Sequence, residues 1–217
     1  LMLVTGGAGF IGSNLADELI SQGHDVRILD DLSTGFAENV PAESTFFEGD
    51  LNDPELVDEA VAGVEVIFHQ GARGSVAKSV ETPLVTNRSN VSGTLTVLEA
   101  ARRHGVRRFV AASSSSVYGG VAPRPTTETS PLAPKSPYAV SKVAGEQYLQ
   151  VYAELFGLET VSLRYFNVYG PRQDPGSDYA AVIPRFIAAL RTCLLYTSDA
   201  ADDMQCVDLG GRRIIKK

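Results

Sequence analysis

The apolar run Leu1-Met-Leu-Val-Thr5, followed directly by Gly6-Gly7-Ala8-Gly9-Phe10-Ile11-Gly12, is the stretch of sequence that decides the fold. Residues 13–21 come next, and their apolar positions recur with helical spacing. The order strand, glycine-rich turn and helix predicts a cradle for the phosphates of a dinucleotide. Such a cradle works because backbone N–H groups at the start of a helix attract anions.

Three glycines of this turn have distinct predicted tasks. Gly6 permits the tight turn, and Gly9 lets the backbone approach the pyrophosphate. Gly12 lets the helix pack closely against the strand. Two residues separate each pair, so the spacing differs from the G-x-G-x-x-G form that many dehydrogenases carry. A glycine turn alone is a weak signal, and here the flanking strand and helix supply its context.

An acidic pair, Asp30-Asp31, follows the second predicted strand, residues 25–29. A carboxylate at this point accepts hydrogen bonds from the ribose diol of the adenosine and repels a 2′-phosphate. We therefore predict NAD rather than NADP as the cofactor, with Asp30 as the ribose partner.

The rest of the chain alternates strands and helices. The remaining predicted elements are strand 44–48, helix 54–61, strand 64–68, helix 83–103, strand 107–111, helix 137–156 and strand 160–163. This alternation predicts an α/β, Rossmann-like, doubly wound parallel sheet with helices on both faces. Ligands of such sheets bind beyond the carboxyl ends of the strands. The predicted site residues between Gly6 and Gly71 all fall at those ends.

A tyrosine and a lysine stand four residues apart in Ser-Pro-Tyr138-Ala-Val-Ser-Lys142. On a helix this spacing puts both side chains on one face. A phenol has a pKa near ~10 in water, and a nearby cation favours its phenolate. Tyr138 is thus a candidate base for a sugar hydroxyl. The same spacing is common on solvated helices, so the pair gains its weight from the glycine turn.

A run of serines follows the predicted strand 107–111 and could by itself be a polar turn. With the motifs around it, however, the chain resembles the extended short-chain dehydrogenase/reductase family, and within that family the UDP-sugar 4-epimerases. The resemblance covers residues 1 to about 192, as far as Thr192. The matching segments are residues 4–12, 30–35, 49–51, 90–94, 113–119, 138–142 and 164–172.

The resemblance implies a role for each matching residue. Ser114 resembles the hydroxyl residue that hydrogen-bonds the reacting sugar, Tyr138 the acid/base, and Lys142 the residue that binds the nicotinamide ribose and lowers the tyrosine pKa. Cofactor contacts are implied for Gly6, Gly9, Phe10, Ile11, Gly12, Asp30, Asp31, Ser33, Thr34, Gly35, Asp50, Leu51, Gln70, Gly71, Ala72, Asn90, Tyr138, Lys142 and Phe166. Substrate contacts are implied for Ser114, Ser116, Tyr138 and Asn167. His69 is interpreted as a structural residue at the end of an apolar strand.

The implied reaction is NAD-dependent 4-epimerisation of a UDP-sugar, either UDP-glucose/UDP-galactose or the N-acetyl forms. Two other reactions use the same frame. A nucleotide-sugar dehydratase carries Asp-Glu directly after the catalytic hydroxyl, where this chain has Ser115 and Ser116. A UDP-glucuronate epimerase or decarboxylase stays open. A further alternative is a truncated NAD-binding module without turnover.

Residues 193–217 lack helical or strand periodicity and do not resemble the family. They resemble the conceptual translation of a sequencing-library adapter, so we expect a non-native tail after an NAD-binding domain at 1–192. The smaller domain that family members use to hold the substrate would then be largely missing. If complete, such a protein is expected to form a homodimer through the helices that contain residues 90–103 and 138–152.

Composition narrows the remaining classes. Both cysteines, Cys193 and Cys206, lie in the tail, which leaves no thiol chemistry or cysteine metal site to propose, and we predict no metal. A formal net charge of −7 disfavours nucleic acid as a partner. The sequence shows no signal peptide and no apolar run of membrane-spanning length, so we expect a cytoplasmic protein with no membrane partner.

Overall fold

The structure is a computed structural model that describes residues 1–120, 122, 125–174 and 186. It divides into two units, Leu1–Phe166 and Asn167–Lys217, and each is considered by itself. Residues 193–217 lie outside the described part of the chain. The interpretation of that segment as a translated adapter, and the domain boundary at Thr192, therefore stay predictions.

The first unit is built on one parallel sheet of six strands. The strands are β1 (Met2–Thr5), β2 (Val26–Asp30), β3 (Thr45–Glu48), β4 (Val66–His69), β5 (Arg108–Ser114) and β6 (Glu159–Tyr165). Their order across the sheet is β3-β2-β1-β4-β5-β6, and all five neighbouring pairs run parallel. This is the doubly wound order: β2 and β3 are added on one side of β1, and the order of the strands then reverses so that β4, β5 and β6 follow on the other side. The predicted fold class is confirmed.

In the described part of this unit, six α-helices lie between the strands. They are α1 (Phe10–Ser21), α2 (Pro54–Val61), α3 (Val76–Glu81), α4 (Pro83–Asn87), α5 (Gly93–Arg103) and α6 (Pro137–Phe156). The bounds of α2 and α6 agree with the sequence prediction because each begins with a proline after a capping side chain. Asp53 caps α2 and Ser136 caps α6, and each accepts hydrogen bonds from the first turn. Among the described residues, no helix combines the length and apolar character that a membrane crossing requires.

The predicted helix over residues 83–103 is confirmed in its bounds, since α4, a π-helical turn at Arg88–Ser92 and α5 follow one another without a break. The π-helical turn inside this helix was not predicted. At the centre of this turn the Asn90 side chain bonds the backbone of Arg73 and the hydroxyl of Ser141, contacts that a regular helix period does not anticipate. Helix α3 was also missed, since six residues are too few for a periodic signal.

Helices cover both faces of the sheet, as predicted. On one face, Leu3, Ile67 and Phe109 from the strands pack with the apolar sides of α2, α5 and α6. On the other face, Val4 and Ile28 pack with α1. Leu3 and Val4 are adjacent in β1 and serve opposite faces because side chains alternate along a strand. A sheet buried on both sides leaves its carboxyl edge for the site.

Candidate active site

Residues 6–12 form the tight turn between β1 and α1. Gly6 has a φ of +69°, and the N–H of Gly9 donates to the Gly6 carbonyl at 3.2 Å. A Cβ at Gly12 would lie 2.2 Å from that carbonyl oxygen, and a Cβ at Gly6 would lie 2.7 Å from the Cα of Gly71. Neither position admits a side chain. The turn meets α1 at Phe10 and Ile11, whose backbone begins the helix. This geometry fits an anion at the helix N-terminus.

The acid at the end of β2 is tied to the glycine turn. The Asp30 carboxylate accepts the N–H of Ala8 at 3.0 Å and that of Leu32 at 2.9 Å. Burial raises the pKa of Asp30, and the two N–H groups partly offset that rise. Asp31 has a different partner, the guanidinium of Arg73 at 3.8 Å. Asp30 is therefore the acid that is built into the turn.

The residues after β2 close over the same turn. Ser33 donates its N–H and its hydroxyl to Asp31, and Thr34 and Gly35 continue the loop. A Cβ at Gly35 would lie 2.7 Å from the carbonyl carbon of Ala8, so only glycine lets the loop approach this closely.

The ends of β3 and β4 complete this half of the edge. Asp50 accepts two hydrogen bonds from Asn52 and pairs with Arg88 at 3.1 Å. Leu51 approaches Gly71 closely: a Cβ added at Gly71 would lie 2.9 Å from a methyl group of Leu51. Gln70, Gly71 and Ala72 follow β4 directly. The predicted cofactor residues from Gly6 to Ala72 thus lie at the carboxyl ends of four neighbouring strands.

The three predicted catalytic residues come together where β5 ends and α6 begins. Ser114 is the last residue of β5, and its Oγ accepts hydrogen bonds from the N–H and the hydroxyl of Ser116 at 3.2 and 2.9 Å. Tyr138 is the second residue of α6, and its N–H donates to Ser79 Oγ at 3.1 Å. The Nζ of Lys142 lies 5.9 Å from the centroid of the Tyr138 ring and donates to the carbonyl of Ala112 at 2.7 Å.

The pKa values in this cluster are set mainly by burial. Burial raises the pKa of Tyr138, and the hydroxyl of Ser114 lowers it in part. Burial also lowers the pKa of Lys142 to about 8. The Lys142 ammonium faces the Tyr138 ring and the Ala112 carbonyl, and its predicted effect on the tyrosine pKa stays a prediction.

A partly buried ion pair next to Ser113 was missed at the sequence level. Glu146, one turn beyond Lys142 on α6, bonds Arg164 of β6 at 2.9 and 2.7 Å and accepts the Ser113 hydroxyl at 2.5 Å. Burial raises the pKa of Glu146, but the hydrogen bonds from Arg164 and Ser113 outweigh it and leave the pKa below its usual value. Arg164 also donates to the Tyr118 hydroxyl at 2.8 Å. The i, i+4 spacing from Lys142 was the available signal.

Asn90 connects the predicted cofactor residues at the ends of β1 to β4 with the predicted catalytic residues at β5 and α6. Its Oδ1 accepts the N–H of Arg73 at 2.7 Å, and its Nδ2 donates to the Arg73 carbonyl at 3.2 Å and to Ser141 Oγ at 3.0 Å. Ser141 precedes Lys142, so Asn90 links the loop after β4 to the helix that carries the catalytic pair.

The last two predicted contacts lie at the end of β6. Phe166 closes the first unit, and its ring lies 6.4 Å from that of Tyr118 with 60% of the residue exposed. Asn167 is the first residue of the second unit, whose placement relative to the sheet is not described. The predicted substrate contact of Asn167 therefore stays a prediction.

The sequence profile of the NAD dependent epimerase/dehydratase family matches residues 2–202 of this chain. The match extends over most of the 217 residues, and the chain belongs to this family. The family that the motifs predicted is confirmed.

Individual relatives and solved structures agree with this family assignment. A putative UDP-glucose 4-epimerase from Methanocaldococcus jannaschii is 45% identical over 190 residues, which cover 86% of this chain and 62% of that protein. The structure of UDP-glucose 4-epimerase from Thermotoga maritima with UDP-glucose gives a TM-score of 0.86 at 38% identity and covers 92% of this chain and 66% of that one. A UDP-N-acetylglucosamine 4-epimerase from Methanobrevibacter ruminantium, in complex with UDP-N-acetylmuramic acid, gives 0.84 at 39% identity, with coverages of 91% and 65%. The chain spans under two thirds of the length of each.

Proposed function

We propose that the protein from which this chain derives is an NAD-dependent 4-epimerase of UDP-sugars, acting on UDP-glucose and UDP-galactose or on their N-acetyl forms. The observation that carries the proposal is the meeting of Ser114, Tyr138 and Lys142 at the edge that also holds the glycine turn. Relatives named as UDP-glucose and UDP-N-acetylglucosamine 4-epimerases support the substrate class.

The residues at the edge fit NAD. The backbone of residues 6–12 would hold the pyrophosphate, and Asp30 would accept hydrogen bonds from the adenosine ribose hydroxyls. Asp50 and Leu51 would border the adenine, and Lys142 would bind the nicotinamide ribose. Bound NAD supplies the hydride chemistry at C4 of the sugar.

The chain's own residues handle the proton. Tyr138 removes the proton of the C4 hydroxyl and returns it after the 4-keto sugar has turned over. Ser114 hydrogen-bonds the same hydroxyl and, through its contact with the phenol, favours the phenolate. Lys142 places its positive charge beside the ring, and a pKa of about 8 keeps most of that charge at neutral pH.

A second candidate is a cofactor-binding module without turnover. It is favoured by one observation, that the chain spans 62% of the Methanocaldococcus relative. Dehydration is disfavoured because Ser115 and Ser116 stand where a dehydratase carries an acid pair. Epimerisation of a UDP-glucuronate differs only in substrate, whereas its decarboxylation also releases the carboxylate as CO2. The same NMR assay with that nucleotide tests both reactions.

Titration of the 217-residue chain with NAD and with UDP-glucose, followed by an NMR assay of UDP-glucose and UDP-galactose interconversion, decides between these candidates. Binding of both ligands with interconversion, lost in Tyr138→Phe while NAD binding is kept, supports the epimerase. Binding of NAD alone supports the module. Failure to bind NAD overturns the cofactor site itself.

We also propose that the protein pairs with a second copy through the predicted helices, residues 83–103 and α6, together with the neighbouring α3. The apolar residues Val80, Leu84 and Val140 on these helices are 64%, 84% and 54% exposed. Light scattering on the parent chain and on Leu84→Glu tests this, because a charge at the centre of the pairing face should shift the mass to that of a monomer.

A further inference from the structure

His69 lies at the centre of the sheet and is held from both ring nitrogens. It is the last residue of β4, and 4% of its surface is exposed. Its Nδ1 lies 2.8 Å from Thr5 Oγ1, and its Nε2 lies 2.9 Å from Thr94 Oγ1. Its ring also packs at 5.5 Å from the ring of Phe109. The imidazole therefore has one orientation and two fixed partners.

The partner of Nε2 determines where the imidazole proton is. The Thr94 hydroxyl donates its single hydrogen to the carbonyl of Asn90 at 2.6 Å, because a carbonyl oxygen can only accept. The Thr94 oxygen can then only accept from His69. It follows that Nε2 carries the proton.

The partner of Nδ1 shows the direction of the hydrogen bond on the other side of the ring. The Thr5 oxygen already accepts the N–H of Gly71 at 3.2 Å, and its hydroxyl hydrogen points to His69 Nδ1. In a neutral ring with a proton on Nε2, Nδ1 is an acceptor, so the two ends agree. If Nδ1 were also protonated, the Thr5 hydroxyl would have no acceptor among its partners in the described part of the chain.

The resulting chain of hydrogen bonds runs in one direction. It passes from the Gly71 N–H through Thr5, His69 and Thr94 to the Asn90 carbonyl. Its first end lies against the glycine turn, since Gly71 contacts Gly6. Its second end is the π-helical turn whose Asn90 side chain holds Ser141 on α6.

We propose that His69 is a positioning residue: in its neutral Nε2–H form it fixes the glycine turn relative to the helix that carries Tyr138 and Lys142. Burial and the nearby Lys142 ammonium lower the pKa of His69 to about 3, in keeping with a ring that stays neutral. The sequence-based interpretation of His69 as structural is thereby made specific. The functional consequence rests on the proposed use of this edge by a dinucleotide.

The tautomer is tested on the parent chain without any ligand. Long-range ¹H–¹⁵N NMR spectra distinguish a protonated from an unprotonated ring nitrogen, and the His69→Gln spectrum identifies the signals that belong to His69. We expect a proton on Nε2 and none on Nδ1, unchanged from pH 8 down to pH 5. A proton on Nδ1, or titration within that range, overturns the proposal.

The positioning role is tested with two variants and a matched control. His69→Phe keeps the ring but removes both hydrogen bonds, and we expect NAD binding to weaken roughly tenfold or more, as misplacement of a bound group does. His69→Gln can still donate and accept, and it should recover most of that loss. Val61→Ala, a core truncation on α2 remote from the turn, controls for lost stability.

The outcomes separate this inference from the proposed function. If Val61→Ala and His69→Phe lower the melting temperature equally and weaken NAD binding equally, His69 has no positioning role. If His69→Gln is no better than His69→Phe, the hydrogen bonds are not what matters. If the parent chain does not bind NAD, the proposed function fails, while the NMR result still decides the direction of the chain.

Discussion

The Lys142 ammonium faces the ring of Tyr138 at 5.9 Å and gives a hydrogen bond to the carbonyl of Ala112. The ammonium of Lys142 and the phenol of Tyr138 therefore lie on one helix face, with the ammonium hydrogen-bonded to a carbonyl and in contact with the ring. Because both groups are desolvated, the neutral form of each is favoured: the pKa of the tyrosine rises and that of the lysine falls to about 8, so the two pKa values move apart. Ionisation of the tyrosine then depends on the groups around its oxygen, of which Ser114 favours the phenolate.

The shifted pKa of Lys142 predicts a pH-dependent stability. Its pKa is about 8 in the folded chain and 10.5 as the reference value, so between these values the unfolded chain binds the extra proton. The free energy of unfolding should therefore rise with pH across this window, by on the order of 3 kcal/mol. Lys142→Met removes the charge and the dependence, so urea denaturation should show the variant's advantage at pH 7 shrinking towards pH 10. Parallel pH curves for the two proteins would contradict the assignment.

Ser114 is predicted to tune the phenol. Removing its hydroxyl in Ser114→Ala should raise the pKa of Tyr138 further, because burial then acts unopposed. NMR of tyrosine labelled at Cζ measures this titration directly. The neighbouring Ser115→Ala serves as the control and should leave the Tyr138 titration unchanged. An equal effect of the two variants would show that Ser114 has no special contact with the phenol.

Gly12 is predicted to be indispensable for the phosphate cradle. In Gly12→Ala the new methyl group would lie 2.2 Å from the Gly6 carbonyl oxygen, so the turn must open. We expect NAD affinity to fall below detection by calorimetry. Gly145→Ala is the matched control, because a Cβ there meets nothing within 4 Å in the middle of α6. It should keep NAD binding and stabilise the chain by about 1 kcal/mol. Retained affinity in Gly12→Ala would contradict the predicted cradle.

The sequence predicts most of the fold because local rules suffice for it. Proline after a capping residue fixes the starts of α2 and α6, and the left-handed Gly157 (φ +70°) ends α6. Apolar strands between such helices fix the parallel sheet. The π-helical turn at Arg88–Ser92 is different, because it depends on contacts of Asn90 with residues 17 and 51 positions away. Periodicity within one segment does not contain that information.

For the candidate site as well, the sequence predicts some features and not others. The places of Ser114, Tyr138 and Lys142 follow from motif and topology, since strand ends of a parallel sheet converge at one edge. Their pKa values do not, because desolvation is a property of the packed site. The Glu146–Arg164 pair likewise joins α6 to β6, and its burial is decided by how these two elements pack.

Asp30 is predicted to select NAD over NADP. Asp30→Asn keeps a carbonyl oxygen for the Ala8 N–H but removes the negative charge that would repel a 2′-phosphate. We expect the Kd for NAD to rise about tenfold, as for loss of a hydrogen bond to a charged group, and the Kd for NADP to fall. Fluorescence titration with both nucleotides measures the ratio. Asp25→Asn carries the same charge change at the other end of β2 and should leave the ratio unaltered. An unchanged preference in Asp30→Asn would assign the discrimination to another residue.

The partly buried pair Glu146–Arg164 is predicted to hold the Ser113–Ser114 segment on α6. The two side chains are 11% and 21% exposed, so Glu146→Gln leaves a partly buried guanidinium without its counter-charge and should cost about 2 kcal/mol in urea denaturation, between the values for exposed and buried pairs. The exposed pair Glu65–Arg107, at 59% and 48%, is the control, and Glu65→Gln should cost less than about 1 kcal/mol.

Because the pKa of Glu146 is lowered in the folded chain, the stability that Glu146 contributes is present above the reference pKa of 4.5 and is lost as pH falls below it. In a double-mutant cycle with Arg164→Met, the two losses should be strongly non-additive, since removal of both charges leaves neither one buried alone. Additive losses would mean that the two residues stabilise the chain independently.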